Sequence, residues 1–174
     1  DLARQLGGDS ELNEKLMGVS FLAQNAGKRS ITINLKSERG KTVFRELVRT
    51  ADVVVENFRP GVMDRLGVGF DVLKQDNPKL VYCAISGFGQ NGPLRNLPAY
   101  DQIVQGMSGL MSITGDPDTA PYRVGYPVAD TVGGMTAAFA IAAALADPDR
   151  SAHILDVSML EATIATMGWV VSNY

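Results

Sequence analysis

Two short runs, Val53-Val54-Val55 and residues 80–85, are apolar without a break, and turn chemistry follows each at once. A strand with one wet face alternates polar and apolar residues; a strand covered on both faces does not have to. The runs therefore predict buried strands of a parallel sheet. Parallel neighbours need crossover connections, usually helices, and the rest of the chain supplies them. Ser37 and Glu38 precede Val43, Phe44, Leu47 and Val48 at helical spacing, which carries through Thr50 and reads as a capped helix. Pro60 suits the first turn of a short helix ending near Leu66, and a second short helix is predicted over 70–75. Further helices are predicted over 100–111, over the Ala-rich stretch 135–146 and over 160–171, with a strand over 152–157. Ser30-Ile31-Thr32-Ile33-Asn34-Leu35-Lys36 alternates with period two and reads as one more strand. Residues 1–20 are weakly patterned and read as loop with a short helix. The expected fold class is α/β: a Rossmann-like, mainly parallel sheet with flanking helices and right-handed connections.

Composition narrows the function. Hydrophobic residues are 45% of 174 and charged residues 20%, enough apolar material for one sizeable core. A net charge of −3 with no run of Lys or Arg argues against a nucleic-acid partner. Residues 127–146 are long enough to be tested as a membrane span, but they hold Asp130, Thr131, Gly133, Gly134 and Thr136 and are mostly Ala beyond. Ala drives insertion weakly, so a helix packed closely on the sheet is expected, with no membrane partner. The lone Cys83 cannot close an internal disulfide, and the polar N-terminus shows no signal peptide. The expected compartment is the cytoplasm, or the mitochondrial matrix in a eukaryote. The chain opens without Met and ends at Tyr174 in or just after a helical pattern, so it is expected to be a segment of a longer protein.

In open parallel sheets, ligands sit beyond the carboxyl ends of the strands. Two segments begin there: Glu56-Asn57-Phe58-Arg59 and Ser86-Gly87-Phe88-Gly89. Asn57, Arg59 and Arg65 read either as solvated surface or as a grip on phosphate. Gly87-Phe88-Gly89-Gln90-Asn91-Gly92 is a literal GxGxxG, but Pro93 follows where a dinucleotide fold would start its helix. A loop that lets a ligand approach the backbone is the better reading. The single His153 lies within a strand, so a His-based metal site or a catalytic triad is not expected here, and no metal is predicted. Carboxylates remain as candidates for covalent chemistry. Asp130 is the only charge between Arg123 and Asp147 and stands at the mouth of an apolar helix. It reads as an N-cap or as a nucleophile. Tyr100-Asp101 reads as a helix anchor, or as part of the same cleft.

The ordered motifs together resemble the class III CoA-transferases, the family of formyl-CoA transferase and carnitine CoA-transferase, and especially its branch acting on dicarboxylates. The resemblance runs through Asn25-Ala26-Gly27-Lys28-Arg29-Ser30-Ile31, then Asp52-Val53-Val54-Val55-Glu56-Asn57-Phe58-Arg59-Pro60-Gly61 and Arg65-Leu66-Gly67. It continues through Ser86-Gly87-Phe88-Gly89-Gln90-Asn91-Gly92-Pro93, Ala99-Tyr100-Asp101 and Ser112-Ile113-Thr114-Gly115, and ends on Val128-Ala129-Asp130 with Gly133. It implies that Asp130 is the nucleophile that carries acyl and CoA groups in turn, and that CoA or acyl-CoA is a substrate, with a carboxylic acid as acceptor. It implies CoA contacts at Ile33, Asn34, Leu35 and Lys36, at Asn57, Phe58 and Arg59, at Arg65, and at Ala99, Tyr100 and Asp101. It further implies that residues 1–174 are part of a large CoA-binding domain, with the start of that domain and a smaller C-terminal domain outside the chain, in an interlocked homodimer. Ala129 stands where some members have Gly, and Pro98 where some have Lys.

Two other functions fit parts of the pattern. An α-methylacyl-CoA racemase would keep an Asp at 130 but carry a His where this chain has Tyr100, and Tyr is a poor base near neutral pH. A non-catalytic acyl-CoA-binding protein would not need Asp130.

Overall fold

The computed structural model describes residues 2–173; Asp1 and Tyr174, the ends of the segment read above, lie outside the described residues. Three strands, β1 (Val53–Glu56), β2 (Val81–Ser86) and β3 (His153–Ser158), form one sheet in the order β1-β2-β3. Both pairings are parallel, with Val55 opposite Cys83 and Cys83 opposite Leu155. The two apolar runs are thus the sheet's first two strands, and the expected α/β architecture is present. Before β1 comes α3 (Glu38–Val48); between and after the strands come α4 (Val62–Arg65), α5 (Phe70–Asp76), α6 (Asp101–Met107), α7 (Val128–Leu145), α8 (Met159–Thr166) and α9 (Gly168–Val171).

Side chains alternate across the sheet, and β2 shows why it can be apolar throughout. Tyr82 and Ala84 pack with Val48 of α3, Leu73 of α5 and Val54 of β1 on one face. Cys83 and Ile85 pack with Ala137 and Ile141 of α7 and with Val157 on the other. A third cluster joins Val104 of α6, Ala129 of α7 and Met159. Leu73 has no exposed surface. Leu73→Ala is expected to cost about 2–5 kcal/mol of stability, read as a lower denaturant midpoint in the full-length protein; a loss below about 1 kcal/mol would mean that the α5 face can collapse on the gap.

The two ends of the sheet are treated differently. At the amino ends of the strands, cross-bracing is dense. The Asn77 amide donates to the carbonyls of Val48 and Ala51. Arg150 donates to Lys79 O at 3.1 Å and to Asp52 at 3.1 Å. Asp76 joins α5 to α3 by accepting from Arg45 at 2.6 Å and Arg49 at 3.3 Å; the Arg45 hydrogen bond, more than the second arginine, holds its carboxyl below the usual range. The carboxyl ends open into loops.

α7 begins at Val128, earlier than the Ala-rich stretch implies, and it is long and apolar enough to cross a membrane by length and composition alone. Its buried residues Ala129, Gly133 and Ala137 recur every fourth position and face the sheet, α6 and α8. The other side is open, with Met135 and Phe139 exposed. The helix expected over 100–111 stops at Met107, because Gly109 turns left-handed (φ +85°) and a 3₁₀ turn, Leu110–Ile113, follows. The last helix is likewise divided at Met167 into α8 and α9.

The strand expected over 30–36 is absent: this stretch pairs with none of the three strands. Alternation specifies two faces but no partner, and local chemistry prevails here. Asn34 Oδ1 accepts from Lys36 N–H at 3.0 Å, Asn34 O accepts from Ser37 N–H, and Ser37 Oγ caps α3 at Gly40 N–H. An Asn turn running into an N-cap leaves no extended backbone to pair. Leu35 packs instead against the α3/α5 core.

The chain divides into two compact units, residues 1–33 and 34–174. In the first, a 3₁₀ turn (Leu2–Gln5) precedes α1 (Ser10–Glu14) and α2 (Val19–Asn25). Arg4 organises it, lying 3.8 Å from the centre of the Phe21 ring and donating to Leu16 O.

Candidate active site

The turns after β1 and β2 meet the first turn of α7 in a cleft of about 530 Å³. From the β1 side come Asn57, Phe58 and Arg59. From the β2 side come Ser86 and Gly87, and from farther along that connection Arg95, Ala99 and Tyr100. α7 supplies Asp130 and Gly134, and α8 supplies Met159. Each piece is held by its own local bonds. The Asn57 amide donates to Ile85 O at 2.7 Å, tying the two strand ends together. Glu56, buried, accepts from Phe58 N–H at 2.6 Å and shapes the turn; burial pushes its carboxyl above the ordinary range. Gly61 takes the left-handed conformation (φ +74°) that lets α4 start directly after Pro60. Gln90 N–H donates to both oxygens of Asp156 on β3 at 3.0 and 2.9 Å, and Gly87 O accepts from Leu160 N–H at 3.0 Å. The glycine loop is thus bound to the third strand and to α8. No helix starts within it; turns fill 91–97, and α6 begins only at Asp101.

Asp130 occupies the third residue of α7, and Pro127 is its cap position, with no side-chain cap bond. The cap comes from elsewhere. Asp101, buried, accepts from Ala129 N–H at 2.8 Å and from Asp130 N–H at 3.3 Å. The helix-capping role that the sequence left open for Asp130 is therefore filled by Asp101. Among the described residues, no hydrogen bond or ion pair to the Asp130 carboxylate is found. This carboxylate faces the cleft of Arg59 and Tyr100 on one side and a second hollow of about 480 Å³, lined by Asp101, Gln102, Arg123 and Pro127, on the other. Burial first, and the Asp101 carboxylate second, push its pKa upward. A helix N-terminus alone would favour the charged form, but the nearest free N–H groups are aimed at Asp101.

That upward shift has a sign for stability. A carboxyl with a folded pKa above its unfolded value favours the fold most below the unfolded pKa, and this contribution is lost as pH rises through the folded pKa. Asp130→Asn is accordingly expected to raise the thermal unfolding midpoint at neutral pH, with the gain shrinking at pH values below the ordinary carboxylate range. A variant less stable than the parent at neutral pH would contradict this.

Of the residues expected at the site, Asn57, Phe58, Arg59, Ala99, Tyr100 and Asp130 share the first cleft, and Asp101 borders the second. Asn34, Leu35, Lys36 and Arg65 line neither, and Ile33 belongs to the first unit. Arg95, Met159 and Gln105 were missed. Arg95 had a readable signal, a lone cation in a glycine-rich loop; the other two look like ordinary helix residues. Among the described residues, no group of three His, Cys, Asp or Glu side chains is placed to hold a metal.

The CoA-transferase family III model matches residues 1–174. The chain is 53% identical over 149 residues to an acetyl-CoA:oxalate CoA-transferase of Acetobacter aceti, covering 83% of this chain and 38% of that protein. It is 45% identical over 169 residues to a succinate–glutarate CoA-transferase of Agrobacterium fabrum, covering 95% and 42%. A crystal structure of a CAIB/BAIF family protein from Brucella suis superposes with a TM-score of 0.87 at 38% identity, over 90% of this chain and 42% of that one. The chain thus spans about two-fifths of the length of the relatives it matches. With a family match along all its residues, the chain belongs to CoA-transferase family III.

Proposed function

We propose that the full-length protein moves CoA from an acyl-CoA donor, such as succinyl-CoA, to a carboxylic acid through covalent intermediates on Asp130. The observation that carries this reading is a carboxylate with no protein partner among the described residues, standing in a cleft with Arg59, Asn57 and Tyr100. An ionised Asp130 oxygen attacks the thioester carbonyl; the C–S bond breaks and CoA leaves as thiolate, giving an aspartyl-acyl anhydride. The thiolate attacks Asp130 Cγ and expels the donor acid as carboxylate, giving an aspartyl-CoA thioester. The acceptor carboxylate attacks that thioester, and the released thiolate then attacks the acceptor's carbonyl in the new anhydride. Acyl-CoA leaves and Asp130 is regenerated as carboxylate. No general base is needed, because both attacking groups are already anionic, and each step is easier than direct exchange between two acids.

In this reading Arg59, with Arg65 and Lys36, neutralises CoA phosphates. Asn57, Phe58, Ala99 and Tyr100 border the pantetheine and thioester, and residues 34–36 contact CoA outside the cleft. Tyr100 in the cleft favours transfer over α-proton exchange, which needs a base titrating nearer neutrality. The same reading takes the protein to be an interlocked homodimer without metal, acting in the cytoplasm or mitochondrial matrix.

The test is to incubate the full-length protein with succinyl-CoA, quench with hydroxylamine or borohydride, and map the mass shift by peptide. A shift on the peptide holding Asp130 is expected. No shift with any of several acyl-CoA donors would reject the covalent route, and deuterium exchange at the α-carbon would then test racemisation.

A further inference from the structure

Gln105 lies one helical turn after Asp101 on α6 and has no exposed surface. A fully buried glutamine must place both ends of its amide, and every bond that amide makes runs to the approach to α7 or to its cap. Its Nε2 donates to Asp101 Oδ1 at 2.6 Å and reaches Tyr126 O at 3.4 Å. Its Oε1 accepts from Val124 N–H at 2.9 Å. Asp101 uses its other oxygen, Oδ2, for the N–H groups of Ala129 and Asp130. One amide therefore grips the strand of chain entering α7 directly, at Val124 and Tyr126, and grips the first turn of α7 through Asp101.

We infer that Gln105 is a positioning residue for Asp130: it holds the approach to α7 and the cap of α7 in one hydrogen-bonded frame, so that the nucleophile meets the thioester at a fixed place. The inference rests on the CoA transfer proposed above. Gln105 lines neither hollow, so it acts through Asp101 and the 124–126 backbone rather than on the substrate. The frame also has a definite direction. Asp101 can accept only, so the amide nitrogen must point at it, and the amide oxygen is then left for Val124 N–H. A carboxylate in place of this amide would keep the second bond and lose the first.

That directionality supplies the experiment, made in the full-length protein with acyl-CoA and acid substrates. Gln105→Met removes both bonds at similar volume. It is expected to lower kcat by about 100-fold, the scale of a misplaced reacting group, with KM for acyl-CoA changed less than about threefold, because the phosphate-gripping turn after β1 is untouched. Gln105→Glu combined with Asp101→Asn reverses donor and acceptor. The amide introduced on the first turn of α6 would donate to the carboxylate introduced one turn later and accept from Ala129 N–H. That carboxylate would still accept from Val124 N–H. The double variant is expected to regain at least about tenfold of the lost kcat. A purely structural glutamine would show unfolding in proportion to lost activity and no such rescue.

Several results would overturn the inference: a folded Gln105→Met with kcat within about threefold of the parent, a matched rise in KM and fall in kcat/KM at constant kcat, or a folded double variant no better than Gln105→Met. If neither variant folds, the frame serves folding, and the positioning role is rejected. A parent protein with no transfer and no adduct on Asp130 rejects the underlying reaction, which the parent assay shows separately from any variant.

Discussion

Replacing Asp130 by Asn or Ala in the full-length protein is expected to cut CoA transfer at least about 10⁴-fold, since removal of a nucleophile leaves only binding and orientation to accelerate the reaction. Affinity for CoA should survive, within about threefold. The turn that carries Asn57, Phe58 and Arg59 is built by Glu56 and by the Asn57 bond to Ile85, neither of which involves Asp130. The helix should survive too, because its cap is Asp101. Measuring CoA binding by calorimetry beside turnover separates the cases. Loss of binding together with activity would mean that Asp130 maintains the cleft's shape rather than its chemistry. An Asp130→Asn protein that is more thermally stable yet inactive would show that the fold tolerates this carboxylate for the sake of the reaction.

Gly87→Ala is expected to be the most damaging single methyl in the site. A Cβ at Gly87 would overlap the Cβ of Ala99 and lie 3.5 Å from its Cα. Neither neighbour can simply step aside. Gly87 O is bonded to Leu160 N–H, and Ala99 leads into α6, where Asp101 caps α7. Overpacking of this kind costs about 1–3 kcal/mol, and the displacement runs toward the residues that place Asp130. We expect a lower unfolding midpoint and a fall in kcat of more than about tenfold. Gly168→Ala is the matched control, because an added Cβ there meets nothing within 4 Å. Equal behaviour of the two variants would show that the loop after β2 yields freely.

Residues 80–85 were readable because a strand covered on both faces needs no partner-specific signal; Val53-Val54-Val55 was readable by its apolar run too, although it is an edge strand and Val55 is 54% exposed rather than buried. The cap of α3 was readable because Ser37 acts within three residues of itself. The turn after β1 stood out as a cation-bearing turn at a strand end, and Asp130 as a lone carboxylate at a helix mouth, open to a cap or a nucleophile role; the cap is made by Asp101. What could not be read is what depends on distance along the chain. Asp101 caps a helix 28 residues away, and nothing local marks it for that work. Gln105 looks like any polar residue on a short helix until Val124, 19 residues on, donates to it. The false strand at 30–36 arose from the same gap, since an alternating pattern says which way side chains point and not whether another strand lies alongside.

The row of small residues on α7 sets an angle as well as a distance. Ala129, Gly133 and Ala137 bring the helix against α6, α8 and the sheet, and at Gly133 even a methyl group would approach Met159 Cγ to 3.1 Å. Asp130 is the next residue after Ala129, and one step along an α-helix turns about 100°. The contact line therefore sets the azimuth of the carboxylate: it is swung off the buried side and toward the rim where the strands end. Rotating the helix about its axis would drive a larger side chain into the packed side before Asp130 had moved far. The aim of the Asp130 carboxylate is thus built into the body of the fold, and the loops around the cleft can be exchanged without re-aiming it.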